Sequence, residues 1–137
     1  MFSTRPRKAD LTSVAAKKRS VIGGVDTHRD THHAAIIDST GGLLDDVEIP
    51  ATAAGYRDLL AWMRSFGRLI AVGVEGTGSY GAGLARHLTS KKVTAVEVDR
   101  PDRRTRRTKG KSNPIDAIAA ARATFAGTAI GTPKTRS

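Results

Sequence analysis

The chain has no cysteine, which excludes a disulfide framework and any thiolate metal centre. It has no apolar run near the roughly 20 residues needed to cross a bilayer. Its first residues, MFSTRPRKADLTSVAAKKRS, are basic but carry no apolar stretch, so they do not read as a secretory signal. Acids are scarce: 13 Asp and Glu stand against 23 Lys and Arg, a formal net charge of +10. Such an excess points to a polyanionic partner. Within 137 residues there is room for one domain with a modest core.

The periodicity of the chain changes several times. Residues 1–19 show no apolar period and are expected to form a mobile basic tail, with a second short tail at 134–137 and the domain between them at 20–133. VIGGVD, HHAAIID and GGLLDDVEIP read as three short strands, close enough together to form an antiparallel meander. In ATAAGYRDLLAWMRSFG, residues Tyr56, Leu59, Leu60, Met63 and Phe66 recur at helical spacing and Gly67 offers a stop. LIAVGVE is a strand, Tyr80, Leu84 and Leu88 mark one face of a second helix, and VTAVEV is a further strand. An exposed basic loop follows, then an alanine-rich helix with Pro114 in its first turn. The order β-β-β-α-β-α-β-loop-α predicts an α/β domain of RNase H-like type, with a mixed sheet in which the meander feeds alternating α and β elements.

The stretch GVEGTGSYG admits three readings. Gly76-x-Gly78-x-x-Gly81 lies between a strand and a helix, with Glu97 or Asp99 about 20 residues beyond, as a dinucleotide-binding fingerprint requires. Against that reading, Glu75 would face an incoming pyrophosphate, and the upstream meander has no place in the minimal βαβ unit. Alternatively the glycines only permit a tight strand-to-helix turn. The third reading makes Glu75 a site residue, with the glycines leaving room for a substrate to approach it.

Asp26 and Glu75 each end an apolar strand, and in an RNase H-like sheet those strands are neighbours. Oxygen donors of this kind suit Mg²⁺ or Mn²⁺, and a pair of such ions can stabilise the attacking and leaving oxygens of a phosphoryl displacement. Asn113 and Asp116, three residues apart at the start of the last helix, could face the same site. They equally fit an N-cap with its capping box. His28, His32 and His33, interleaved with Asp26 and Asp30, could be considered for Zn²⁺, but in a strand-turn-strand they are expected to be surface or supporting residues. Arg100, Arg103, Arg104, Arg106, Arg107, Lys109 and Lys111 crowd one segment that holds no aromatic residue, which predicts binding to a phosphate backbone with little reading of bases.

Five segments, GVDTHRDTHHAAIID, PATAAGYRDLLAW, VGVEGTGSYGAGLARHL, VEVDRPDRRTRR and GKSNPIDAIAAARA, occur in an order that resembles the N-terminal part of an insertion-sequence transposase family. That family carries a RuvC-like DEDD domain, and some members recombine DNA under the direction of a bridge RNA. The resemblance spans about Val21 to Pro133. It implies that Asp26 and Glu75 are the first two acids of the DEDD set and that Asp116 is the last. Asn113 stands where the third acid belongs. It further implies Mg²⁺ or Mn²⁺ as cofactor and DNA as partner, with a structured guide RNA and self-assembly as further partners it allows. The setting it implies is the bacterial cytoplasm, at the nucleoid. Family members continue into a domain with a serine nucleophile, so the sequence ending at Ser137 is expected to be incomplete as a transposase. Two rival expectations accompany it: a non-catalytic nucleic-acid-binding remnant, and the dinucleotide-binding module.

Overall fold

In the computed structural model, residues 19–98 and 114–130 are described, with side chains to residue 127. Five strands form one sheet: β1 (Ser20–Thr27), β2 (Thr31–Asp38), β3 (Leu43–Pro50), β4 (Arg68–Glu75) and β5 (Ala95–Val98). Three helices accompany them: α1 (Ala53–Arg64), α2 (Ala82–Ser90) and α3 (Pro114–Ile130). The strand order is β3-β2-β1-β4-β5. The meander β1-β2-β3 is antiparallel, whereas β4 joins β1 in parallel and β5 joins β4 in parallel. This is the mixed sheet of an RNase H-like domain, and it departs from a doubly wound dinucleotide fold in its antiparallel half.

Short-range chemistry sets the joints. Asp38 closes the β2–β3 turn by accepting from the Thr40 hydroxyl and from the amides of Thr40 and Gly42. These bonds, the Thr40 hydroxyl foremost, hold the Asp38 carboxyl below its ordinary pKa. Gly41 in the same turn sits at φ +88°, which favours glycine. Thr52 caps α1, its side chain accepting from the Gly55 amide at 3.0 Å. Arg19, the first described residue, donates its Nε to the Phe66 carbonyl at 3.0 Å and accepts from the Arg68 amide at 2.7 Å.

The central strands are buried on both faces, as their unbroken apolar runs require. One face carries the main core, in which Val21, Val25, Ala34, Ile36, Val72 and Val74 meet α1 and α2 through Leu59, Met63, Leu84 and Leu88. The other face is covered by α3. A Cβ on Gly24 would lie 2.2 Å from the Ala121 nitrogen and 2.3 Å from the Ala117 oxygen. A Cβ on Gly73 would lie 2.0 Å from the Thr124 hydroxyl and 2.9 Å from the Ala120 oxygen. Glycine in the sheet and alanine in the helix therefore let two backbones approach closely. Sequence patterning missed this pairing of small residues, because it scores the alanines only as helix formers.

Candidate active site

Strand alternation fixes where the acids project. Gly23 faces Met63 and Gly24 faces α3, so Asp26, two residues beyond Gly24 with no irregularity between, belongs to the α3 face. Gly73 also faces α3, which places Glu75 on that same side. The β1–β4 register pairs Val25 with Val74, and Asp26 and Glu75 are the next residues on the two parallel strands. Both are buried, Asp26 2 % exposed and Glu75 1 %.

Helix α3 brings Asp116. Asp116, Ala117, Ala120, Ala121 and Thr124 are its buried residues and form one stripe at helical spacing. Ala121 packs with Ile22 and Ile37, near the start of β1, and Phe125 lies near Gly41 in the β2–β3 turn. The helix thus runs antiparallel to β1, and its first turn, with Asp116 on the sheet-facing stripe, lies toward the strand end that carries Asp26. Three carboxylates distant in sequence share one side of the sheet at its C-terminal edge. Among the described residues, no group of three or more His, Asp or Glu side chains is arranged to hold a metal ion as it stands. Asn113 and the seven basic residues from Arg100 to Lys111 lie outside the described residues, as do the tails at 1–18 and 134–137.

Supporting contacts surround the acids. Thr27 donates its hydroxyl to the Glu75 carbonyl at 2.8 Å, a buried bond that ties the ends of β1 and β4. His33 pairs with Asp26 across β1 and β2, and its Nε2 lies 2.5 Å from Asp46 Oδ2 on β3. An anion–imidazole pair therefore stands beside Asp26 on the α3 face. His33 is largely buried on this face, where strand pairing with Asp26 places it.

His32 corrects the expectation of a surface or supporting role. It is fully buried on the opposite face, stacked on Tyr56 with centroids 5.9 Å apart. Its Nδ1 accepts from the His28 amide at 3.3 Å, whereas its buried Nε2 has no hydrogen-bond partner among the described residues. Burial pushes its pKa below the ordinary value, with the nearby His28 acting in the same direction and a backbone hydrogen bond opposing it. Tyr56 also touches His87, 5.9 Å away at 49°, whose buried Nε2 is likewise unpartnered. Stacking between α1 and the sheet draws His32 inward, which a reading of polarity alone does not anticipate.

The glycine loop resolves in favour of a tight turn. Gly76 has φ +71°, and a Cβ on Gly81 would lie 2.7 Å from the Glu75 oxygen. The Thr77 amide donates to the Glu97 carboxylate at 2.8 Å, joined by the Thr77 hydroxyl and, at 3.4 Å, the Gly76 amide. A side-chain anion thus occupies donors that a pyrophosphate would need, and the dinucleotide reading fails on this geometry as well as on the sheet. Helix α2 begins only at Ala82. Tyr80, expected on its buried face, stands in the turn instead and is 51 % exposed.

No helix among the described residues is long and apolar enough to cross a membrane. No curated protein matches the chain. Residues 23–134, most of the chain, match a family described as transposase, and with its RNase H-like sheet and acids at the expected strand ends the chain belongs to the IS110-type DEDD transposases.

Proposed function

We propose that this domain binds DNA and serves Mg²⁺- or Mn²⁺-dependent DNA transposition, with Asp26, Glu75 and Asp116 as the acids that hold the metal. The observation that supports this reading best is the placement of Asp26 and Glu75 side by side on parallel strands, beneath the helix whose first buried turn carries Asp116. An all-oxygen donor set fits a hard divalent cation. When bound, such ions stabilise the charge on the attacking and leaving oxygens of a phosphodiester.

The chain's own residues have separable tasks. Thr27 fixes the end of β4 and so the origin of the Glu75 side chain. His33, held by Asp46, flanks Asp26. Asn113 would contribute a neutral amide oxygen where the family's pattern has a carboxylate, weakening the hold on metal. Arg100, Arg103, Arg104, Arg106, Arg107, Lys109 and Lys111 would hold phosphates by charge-assisted hydrogen bonds. A structured guide RNA is the second polyanion this charge could serve. The setting we propose is the cytoplasm, at the nucleoid, and self-association is compatible with it.

The test is a thermal melt across a Mg²⁺ and Mn²⁺ titration, paired with DNA binding at several salt concentrations. A small metal-dependent rise in Tm is expected, larger in Asn113→Asp and absent in Asp26→Asn. A flat titration in both the native chain and Asn113→Asp removes the metal centre. Asn113 itself favours a second reading, a nucleic-acid-binding remnant without chemistry. Steeply salt-dependent DNA binding with no metal-dependent strand cleavage or exchange would select it.

A further inference from the structure

Tyr80 is out of keeping with the other aromatic side chains described. Tyr56 lies between His32 and His87, Trp62 and Phe66 meet edge to face at 5.4 Å, and Phe125 packs on Ile22, Ile37 and Ala121. Tyr80 alone among them is exposed. Its loop is braced, with the Ser79 and Gly81 amides donating to the Gly76 carbonyl at 2.9 and 2.8 Å and the Ala82 amide to Ser79 at 3.1 Å. Glu97 holds Thr77 from the side. A large apolar surface is therefore presented to solvent on a stiff support, five residues after Glu75.

Beside this loop runs a shallow groove of about 580 Å³ along α2, lined by Thr77, Ala82, Ala85, Arg86, Thr89 and Ser90. It offers the Arg86 guanidinium and the Thr89 hydroxyl beside two methyl side chains, while the Thr77 hydroxyl is held by Glu97 and the Ser90 hydroxyl donates to the His87 carbonyl. A flat aromatic next to such a groove, on a chain of net charge +10, fits one unpaired nucleobase and its adjoining phosphates. Duplex DNA keeps its bases stacked and offers no free face to such a ring.

Resting on the reading of the domain as one that acts on DNA, we infer that Tyr80 is a stacking platform for an unpaired nucleobase, with the groove at Arg86 and Thr89 taking the neighbouring backbone. The ring adds a base contact that the segment from Arg100 to Lys111, without aromatics, lacks. A strand that has left its duplex near the acids would be held there by its base as well as its charge.

The full chain is titrated against short single-stranded DNA, single-stranded RNA of the same sequence and blunt duplex DNA, each with a fluorescent end label. A second set of single strands carries 2-aminopurine, whose emission falls when it stacks on an aromatic ring. Tyr80→Ala is expected to weaken single-strand binding roughly 5- to 150-fold, the range for losing one stacked base, to abolish the quenching and to leave duplex binding little changed. Tyr80→Phe should retain both the affinity and the quenching. Arg86→Ala should lower the salt slope by about one phosphate contact. Equal losses on DNA and RNA identify the base alone as the recognised group, and a loss on one only identifies which strand is held. Unaltered single-strand affinity and quenching in Tyr80→Ala, with the native chain binding well, overturns the stacking role and leaves the DNA-acting reading intact. Failure of the native chain to bind any nucleic acid overturns both. An unchanged melting temperature in Tyr80→Ala separates a lost contact from a lost fold.

Discussion

The Thr27 hydroxyl and the Glu75 carbonyl, 2.8 Å apart and buried, join the ends of the two strands that carry Asp26 and Glu75. A buried hydroxyl donating to the backbone oxygen of Glu75 ties the end of β4 to β1 and so restrains the backbone from which Glu75 projects. Thr27→Val keeps the shape and removes the donor. It should destabilise the domain by about 1–3 kcal/mol, the cost of leaving a buried acceptor short of its bond, while Thr27→Ser retains most of the stability. Urea denaturation of the three proteins measures the difference.

The close approach of α3 gives a contrast between glycines. Gly24→Ala drives a methyl group into backbone atoms of Ala117 and Ala121, which cannot yield as a flexible side chain can. Destabilisation of at least the roughly 1–3 kcal/mol typical of overpacking is expected, together with loss of any metal response, because α3 carries Asp116. Gly78→Ala meets nothing within 4 Å and should change stability by less than about 0.5 kcal/mol. Thermal melts with and without Mn²⁺ measure both effects.

His32 should make the fold sensitive to acid. Burial lowers its pKa in the native state, so below its ordinary value of about 6.5 the unfolded chain binds a proton that the folded chain resists. Stability is then full above about pH 6.5 and falls as the pH drops through and below it, by no more than about 1.4 kcal/mol per pH unit for one group. His87, whose pKa is also lowered, chiefly by burial, acts in the same direction. His32→Phe keeps the stacking on Tyr56 and removes the unpartnered Nε2. It should melt no lower than the native chain at pH 7.5 and lose less stability on acidification to pH 5.5. Melting curves across that range, at fixed ionic strength, measure the slope.

Glu97 should control the order of the glycine loop. Its carboxylate accepts from the Thr77 amide and hydroxyl and from the Gly76 amide, so Glu97→Ala releases the turn that presents Tyr80. The expected outcome is faster amide hydrogen exchange at Thr77 and weaker single-strand binding, with melting lowered by far less than in Gly24→Ala. Exchange read by mass spectrometry on the native chain and the variant distinguishes a braced loop from a loose one.

Much of this architecture was legible before any coordinates, because each element carries its own local signal. The runs VIGGVD and LIAVGVE announce apolar strands, and the spacing of Tyr56, Leu59, Leu60 and Met63 announces α1. Relations between remote segments were less accessible. That Asp26 and Glu75 lie side by side was expected from the RNase H-like order of elements and not from any local pattern, since a strand's own residues do not encode its partner. Tyr80 misleads because its spacing to Leu84 and Leu88 continues a helical period backward through a turn that ends at Gly81. His32 misleads for the opposite reason: its imidazole is polar by composition yet stacks like an apolar ring. The roles expected of Asn113 and the basic segment fall on residues outside those described, and they rest on chemistry alone.

The meander ends in β3, an outer strand that carries Asp45, Asp46 and Glu48 and closes on Pro50. Carboxylates along a rim repel a second rim of the same kind, and proline withholds the amide that a docking strand would need. Copies of the domain are therefore discouraged from fusing there into a continuous ribbon. For a chain of net charge +10, an acidic border on the sheet's outer strand is a local reversal of sign that sets this rim apart from the rest of the molecule.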